Sequence, residues 1–312
     1  RKIRNMNIEI NNKSVSLELL RNILTEDIAI SLSKGTKEKI THSSKYVINK
    51  SEGNDSIYGI NTAFGNLANV KIDKSDLNKL QRNLVSSHAV GVGELLPNKI
   101  VKLIIVLKIY ALAQGYSGAS LALVERLCDF INLELYPCIP SKGSVGASGD
   151  LAPLAHLSQA LIGEGYVNYK GVKLSASKAL AKSDLKPIKL GPKEGLALLN
   201  GTQVSTAIAL NAYFETENLF FSAIISGALT LEAIKGSIAP FDERIHEARG
   251  QKGQIDVARE LNKLIEGSEI LKSHANCDRI QDPYSVRCQP QVMGACLDSI
   301  RYISSILSIE AN

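Results

Sequence analysis

A long apolar stretch from Val204 to Ile238 constrains the fold of this chain more than any other feature. A helix that is apolar on most of its faces is buried, so the stretch is typical of a helix in the core of a bundle. Further helices are predicted over 74–87, 98–114, 119–133, 175–182, 192–199 and 292–309, and polar helices over 241–249 and 253–266. The chain is therefore predicted to be mainly α.

Small β elements are expected at two places. Ile8 and Ile10, the Asn11-Asn12 turn and Val15 to Leu17 suggest a hairpin that leads into a helix. The range 17–50 is then expected to be helical, including Ile28, Ile30 and Leu32. A second short hairpin is expected over 163–171, around Asn168.

The composition excludes several classes of protein. With 45% hydrophobic and 21% charged residues, the chain is not a disordered, collagen-like or coiled-coil sequence. The 36 Lys and Arg against 31 Asp and Glu are spread along the chain, which indicates a solvated surface and no nucleic-acid partner. Five cysteines without a C-x-x-C pair favour a reducing, cytoplasmic compartment over a disulfide framework or a zinc site.

Two further features concern membranes and the extent of the chain. The most hydrophobic run, Ile100 to Ala113, is interrupted by Lys102 and Lys108, so it is expected to be a buried helix rather than a membrane span. The chain begins with Arg1, and Asn312 closes a helical run without a stop signal. We therefore expect a piece of a longer protein.

The run from Gly143 to His156 carries the most chemical information. Glycines at 143, 146 and 149 precede a helix that Asp150 is expected to cap, an arrangement that suits an anion-binding backbone. The run matches neither G-x-G-x-x-G nor the P-loop, and it lacks the second glycine of G-x-S-x-G because Asp150 stands there.

The same run also permits the backbone to react with itself. The Gly149 nitrogen attacks the Ala147 carbonyl carbon and one water leaves. Loss of the Ser148 hydroxyl as a second water then produces a methylidene-imidazolone, a strong electrophile. A small residue before the serine and glycines around it are the requirements for this strained closure, and all are present. On the residues alone, both interpretations of the loop stay open.

Five motifs in collinear order resemble the aromatic amino-acid ammonia-lyase family, and Ser87-His88 is most similar to its histidine-specific branch. The motifs are Tyr58–Thr62, Asn83–Gly93, Gly143–His156, Leu198–Gln203 and Gln281–Gln291. The resemblance implies a small N-terminal active-site domain with α and β elements over 1–200. It also implies long antiparallel helices of a central bundle over 201–312, and a homotetramer in which chains share active sites.

The resemblance also implies the roles of individual residues. It implies that Ala147, Ser148 and Gly149 form the methylidene-imidazolone, with no external cofactor and no metal. Tyr58 is implied as the base for the substrate β-proton, with Tyr284 as a second catalytic residue. The implied substrate-binding residues are His88, Asn200, Gln281 and Arg287, of which Arg287 suits a carboxylate because its planar guanidinium makes two-point contacts.

The expected reaction is therefore the elimination of ammonia from L-histidine to give trans-urocanate. A tyrosine or phenylalanine ammonia-lyase and an aminomutase are alternatives within the class. An anion-binding helical module without enzymatic activity, or an inert fragment, are alternatives outside it. Two departures from the family pattern are Ala63, where glycine is usual, and the lack of an active-site glutamate that the family carries beyond residue 312.

Overall fold

The computed structural model describes residues 6–11, 13–53, 55–62, 72 and 76–312. The chain divides into two compact units, the first formed by Arg1–Leu210 with Glu310–Asn312 and the second by Asn211–Ile309. Ala63 lies outside the described residues. The functional division of the chain at residue 200 stays a prediction.

The N-terminal segment is a parallel β–α–β unit, and the expected hairpin is wrong. Strand β1 (Met6–Ile10) pairs with β2 (Ile28–Leu32), and helix α1 (Leu17–Thr25) connects them. Ser16 accepts a hydrogen bond from the Leu19 amide at 3.1 Å and so begins a helix where the second hairpin strand was expected. Ile28, Ile30 and Leu32 are buried in alternation, as a strand requires, so their assignment to a helix is also wrong.

The rest of the first unit packs helices and short antiparallel strands around one central helix, α4 (Asn98–Ala113). From Ile100 to Ala113 every residue of α4 except Ala111 is buried, which confirms the prediction of a buried helix. The other helices are α2 (Lys34–Ser51), α3 (Leu77–His88), α5 (Leu121–Asn132), α6 (Leu151–Leu161), α7 (Ala176–Lys182) and α8 (Glu194–Leu199).

Five short strands complete the first unit. β3 (Val92–Leu95) pairs with β5 (Pro140–Lys142), and β6 (Tyr166–Tyr169) lies between β4 (Leu135–Pro137) and β7 (Val172–Ser175). The β6–β7 hairpin confirms the second expected hairpin, but its turn is at Lys170-Gly171 rather than at Asn168. Both turn residues have positive φ, as a type I′ turn requires.

The second unit is helical throughout its regular elements. Helix α9 (Gln203–Ala233) extends into it and is followed by α10 (Glu243–Arg249), α11 (Lys252–Ile265), α12 (Glu269–Ser273), α13 (Tyr284–Arg287) and α14 (Gln289–Glu310). Its core contains Phe220, Ile224, Leu231, Phe241 and Leu261. Long helices here and small sheets in the first unit confirm the prediction of a mainly α chain.

Helix α14 is the one helix in the described part of the chain with the length and apolar composition needed to cross a membrane. Only 11% of its most apolar window is buried. Length and composition are weak indications, because core helices of soluble proteins also satisfy them. The absence of a membrane partner stays a prediction.

Candidate active site

The loop from Gly143 to Asp150 has a tightly curled backbone. Gly146, Ser148 and Gly149 have φ values of +69°, +63° and +102°. Ser148 is the only one of the three that is not glycine. A residue with a side chain adopts the left-handed conformation at a free-energy cost of about 1–2 kcal/mol. Strain of this kind persists only where the surroundings hold it, and it clusters at functional sites. The loop is exposed over 141–148, so the strained serine faces solvent.

The backbone at Gly149 is pressed against Gly201. The two residues form an isolated parallel bridge, and the Asp150 amide donates to the Gly201 carbonyl oxygen at 2.8 Å. A Cβ placed on Gly149 would lie 2.5 Å from that oxygen and 2.6 Å from the Gly201 nitrogen. Both neighbouring atoms are backbone, so only glycine fits at this position.

Asn200 lies directly beside the loop. Asn200 is the C-cap of helix α8, and its amide donates to the Leu196 carbonyl oxygen at 2.9 Å. The side-chain Nδ2 donates to the Ser148 carbonyl oxygen at 3.0 Å. Asn200 Oδ1 is buried, and within the described residues it has no hydrogen-bond partner. Buried polar atoms are normally paired, so this oxygen is able to accept a hydrogen bond from a bound group.

Asp150 closes the loop instead of capping α6 with its side chain. It is 4% exposed, and its carboxylate accepts from Ser144 Oγ at 2.9 Å and from both the amide and Oγ of Ser205 at 2.7 Å. It stands at the N-cap position of α6, but the capping hydrogen bond expected from the sequence is absent. The three bonds tie both ends of the loop to the start of α9.

His88 belongs to a segment that contacts the same loop. Its ring is partly buried, with Nδ1 2.8 Å from the Leu84 carbonyl oxygen, so Nδ1 carries the proton and Nε2 is the acceptor in the neutral form. Three residues later the Gly91 amide donates to His156 Nε2 at 3.0 Å. Burial lowers the pKa of His156, which favours the neutral ring that this bond requires.

Gly91 and the loop approach each other closely. A Cβ on Gly143 would lie 2.9 Å from the Gly91 Cα, so glycine at 143 allows the segment after His88 to pack on the start of the loop. His156, which accepts from the Gly91 amide, is thus a structural residue of the candidate site.

Tyr58 is 54% exposed on the turn over residues 55–62. Asn61 organises this turn, because its Oδ1 accepts from the Ile57 amide at 2.8 Å and its Nδ2 donates to the Asp55 carbonyl at 2.9 Å. Asn61 is 1% exposed, so the turn is anchored while the tyrosine ring faces outward.

The remaining predicted residues lie together in the second unit. The Arg287 guanidinium carbon is 5.6 Å from the centre of the Tyr284 ring, so these two side chains lie side by side on one helical turn. Both residues line a hollow of about 440 Å³, as does Gln281. Arg287 Nε donates to the Asp282 carbonyl oxygen at 3.0 Å. A two-point carboxylate contact can then be made through Nη1 and Nη2.

Asp282 lines the same hollow. It is 7% exposed, and its carboxylate accepts from the Ser237 amide at 2.5 Å and from Arg279 Nη1 at 3.1 Å. Cys288, at the end of α13, is buried. Among the described residues, no group of three or more His, Cys, Asp or Glu side chains is arranged to hold a metal ion.

Comparison with known proteins agrees with this geometry. A sequence profile described as "Aromatic amino acid lyase" matches residues 15–312. The chain belongs to the aromatic amino acid lyase family. It is 52% identical over 298 residues to the histidine ammonia-lyase of Legionella pneumophila (strain Corby), an alignment that covers 96% of this chain and 59% of the relative.

Solved structures of the family share the fold of this chain. The phenylalanine aminomutase of Pantoea agglomerans superposes with a TM-score of 0.91 at 28% identity, covering 99% of this chain and 62% of that one. The histidine ammonia-lyase of Trypanosoma cruzi gives 0.88 at 30% identity, covering 98% and 57%. The chain therefore spans about 60% of the length of the relatives it matches.

One residue beside the loop over 143–150 was missed by sequence reasoning. Lys108 is 1% exposed, and its Nζ donates to the carbonyl oxygens of Ala197 and Asn200, both at 3.2 Å. The sequence signal for it is a lysine inside the apolar run Ile100 to Ala113. A buried lysine in an apolar helix requires polar partners, and here they belong to the candidate site.

Proposed function

We propose that the protein is an ammonia-lyase that eliminates ammonia from L-histidine to give trans-urocanate. The observation that carries the proposal is the geometry of the loop, in which left-handed Ser148 and Gly149 are held between Gly201 and the Asn200 amide. The similarity to histidine ammonia-lyases supports L-histidine as the substrate, as does Ser87-His88.

The residues present fit a methylidene-imidazolone formed from Ala147, Ser148 and Gly149. Gly149 has no Cβ to obstruct closure, and Asn200 Nδ2 already contacts the carbonyl oxygen of Ser148. Closure forms the bond between the Gly149 nitrogen and the Ala147 carbonyl carbon with loss of one water, and Ser148 loses its hydroxyl as another. Once formed, the group supplies an electrophile that makes the substrate amine a better leaving group. No external cofactor and no metal are needed.

The proposed roles of the other residues follow from their chemistry and position. Tyr58 removes the β-proton, and its exposed ring is accessible to a substrate. Arg287 holds the substrate carboxylate by two-point contact, with Tyr284 as a second catalytic residue and Gln281 supporting the same pocket. His88 contacts the substrate ring, and Asn200 orients the reacting centre.

We also propose that the complete protein is a cytoplasmic homotetramer whose chains share active sites. Large apolar side chains exposed in the second unit support self-association, among them Leu219, Phe221, Leu229, Tyr302 and Ile309. Light scattering of the complete protein tests this proposal. A monomer with full activity would contradict it.

Two alternatives are kept for specific reasons. The close structural similarity to an aminomutase favours an enzyme that adds the ammonia back at the β-carbon. The exposed glycine-rich loop before α6 favours an anion-binding module without enzymatic activity.

A panel of amino acids with product identification separates these functions. The complete protein is incubated with L-histidine, L-tyrosine and L-phenylalanine without added cofactor, and the products are identified by mass spectrometry. We expect trans-urocanate and ammonia in equal amounts from L-histidine. A β-amino acid product would identify an aminomutase, and the absence of any product would favour the binding module.

A further inference from the structure

Lys108 is a buried cation at the candidate site that takes no part in the proposed chemistry. It lies on α4, and its two hydrogen bonds run to carbonyl oxygens in the last turn and at the end of α8. Moving an ammonium group out of water costs free energy, which its hydrogen bonds offset only in part. A leucine at this position would avoid that desolvation cost.

The carbonyls that Lys108 holds belong to the segment that contacts the reactive loop. Asn200 accepts from Lys108 through its backbone oxygen and donates to Ser148 through its side chain. The next residue, Gly201, accepts the Asp150 amide and packs against Gly149. One short segment therefore connects the lysine to every backbone residue from Ser148 to Asp150.

Both protonation states of Lys108 preserve this connection. Burial lowers the pKa of Lys108 to about 7, and the negative charge of Asp150 opposes that effect. An ammonium has three N–H groups and a neutral amine has two. Two donors are enough for the two carbonyls, so the contact survives deprotonation.

Building on the proposed function, we propose that Lys108 is a positioning residue for closure of the Ala147–Gly149 ring. It fixes the Ala197–Asn200 turn, so that the Asn200 amide and the Gly201 backbone hold Ser148 and Gly149 in the curled conformation from which the ring closes. Lys108 donates no atom and no proton to the reaction. Its effect is on how much of the protein acquires the prosthetic group.

Lys102 provides a matched control on the same helix. It is 9% exposed, and its Nζ donates to the carbonyl oxygen of Glu26 at 2.8 Å, at the end of α1 rather than of α8. Lys108→Met and Lys102→Met each keep the unbranched stem and remove a buried donor. Both substitutions are expected to lower thermal stability. Of the two lysines, only Lys108 contacts the segment that holds the loop.

The first readout is the mass of the loop peptide from the complete protein. We expect the fraction that has lost two waters at a fixed early time after synthesis to fall by about tenfold or more in Lys108→Met, the size of effect expected on the rate of closure from losing two buried hydrogen bonds. Lys102→Met should keep the wild-type fraction. Lys108→Arg, which retains cationic donors, should recover part of the loss.

The second readout does not depend on the prosthetic group. In a Ser148→Ala background, where the ring cannot be completed, hydrogen exchange at the Asp150 amide reports its bond to Gly201. Lys108→Met should accelerate this exchange by about tenfold or more, and Lys102→Met should leave it unchanged. If the wild-type loop loses no water at all, the proposed function fails and with it the role of Lys108 in ring closure, and this exchange measurement then decides only whether Lys108 holds the loop.

Equal dehydration and equal exchange in the two methionine variants would overturn the proposal. If Lys108→Met does not fold, Lys108→Gln replaces it, because the glutamine amide is one atom shorter and cannot reach both carbonyls. A wild-type dehydrated fraction in either folded variant would also overturn it.

Discussion

Replacing Gly149 with alanine tests whether the contact with Gly201 holds the reactive loop. The added Cβ would lie 2.5 Å from the Gly201 oxygen and 2.6 Å from its nitrogen. Gly146 provides the control, since its φ of +69° is also positive and a Cβ there meets no atom within 4 Å. Both variants are made in a Ser148→Ala background, in which the loop remains an ordinary peptide.

The expected difference follows from these two environments. At either position, an alanine in the positive-φ conformation lowers the stability of the loop by about 1–2 kcal/mol. Only the Gly149 substitution adds a steric clash, which costs about 1–3 kcal/mol because two backbone atoms must move. The clash corresponds to about 5- to 150-fold faster hydrogen exchange at the Asp150 amide relative to the Gly146 variant.

Hydrogen exchange of the peptide that contains Asp150 measures this difference directly, because the Asp150 amide donates to Gly201. The Gly146→Ala protein should exchange faster than the Ser148→Ala parent only by what the positive-φ cost allows, and Gly149→Ala should exchange faster than both. Equal rates in Gly149→Ala and Gly146→Ala would refute the view that the backbone contact with Gly201 holds the loop.

Three further predictions concern the chemistry and its pH dependence. Ser148→Ala should abolish the loss of two waters and lower activity by many orders of magnitude with little change in thermal unfolding, because the hydroxyl that must leave is gone. Arg287→Lys should impair turnover of every α-amino acid tested, because an ammonium cannot replace a planar two-point contact, and normal turnover of L-histidine would remove Arg287 from the carboxylate site. Burial lowers the pKa of His156 below its ordinary 6.5, so the stabilisation present above about pH 6.5 should be lost as the pH falls through the folded-state pKa. In thermal melts between about pH 7 and 5, His156→Gln, which keeps an acceptor that does not titrate, should show a flatter dependence than wild type.

The N-terminal segment shows what local sequence patterns reveal and what they miss. Ile28, Ile30 and Leu32 alternate with less buried residues, a period of two that is visible in the sequence but was merged with the helical ranges around it. The partner of β2 is β1, which precedes it by a whole helix. Pairing at that separation depends on tertiary packing, and the nearby Asn11-Asn12 turn favoured a local hairpin instead.

The candidate site likewise has residues that local motifs identify and residues that only tertiary contacts reveal. Its motif residues were named from the sequence, and the Asn200 contact with Ser148 brings two of them together, while their chemical roles stay predictions. Lys108 could not be identified as a residue of this site from the sequence, because its carbonyl partners lie 89 and 92 residues away. The side chain of Asp150 was expected to cap a helix, but it binds Ser144 and Ser205, and no local pattern distinguishes these outcomes.

Fragment mass spectrometry of the loop peptide tests the central claim most directly. The peptide is released from the complete protein by proteolysis, and its fragments locate any change in mass. The account predicts the loss of two waters confined to Ala147, Ser148 and Gly149, and an unmodified peptide from Ser148→Ala. An unmodified wild-type loop in a protein that still produces trans-urocanate from L-histidine would contradict it.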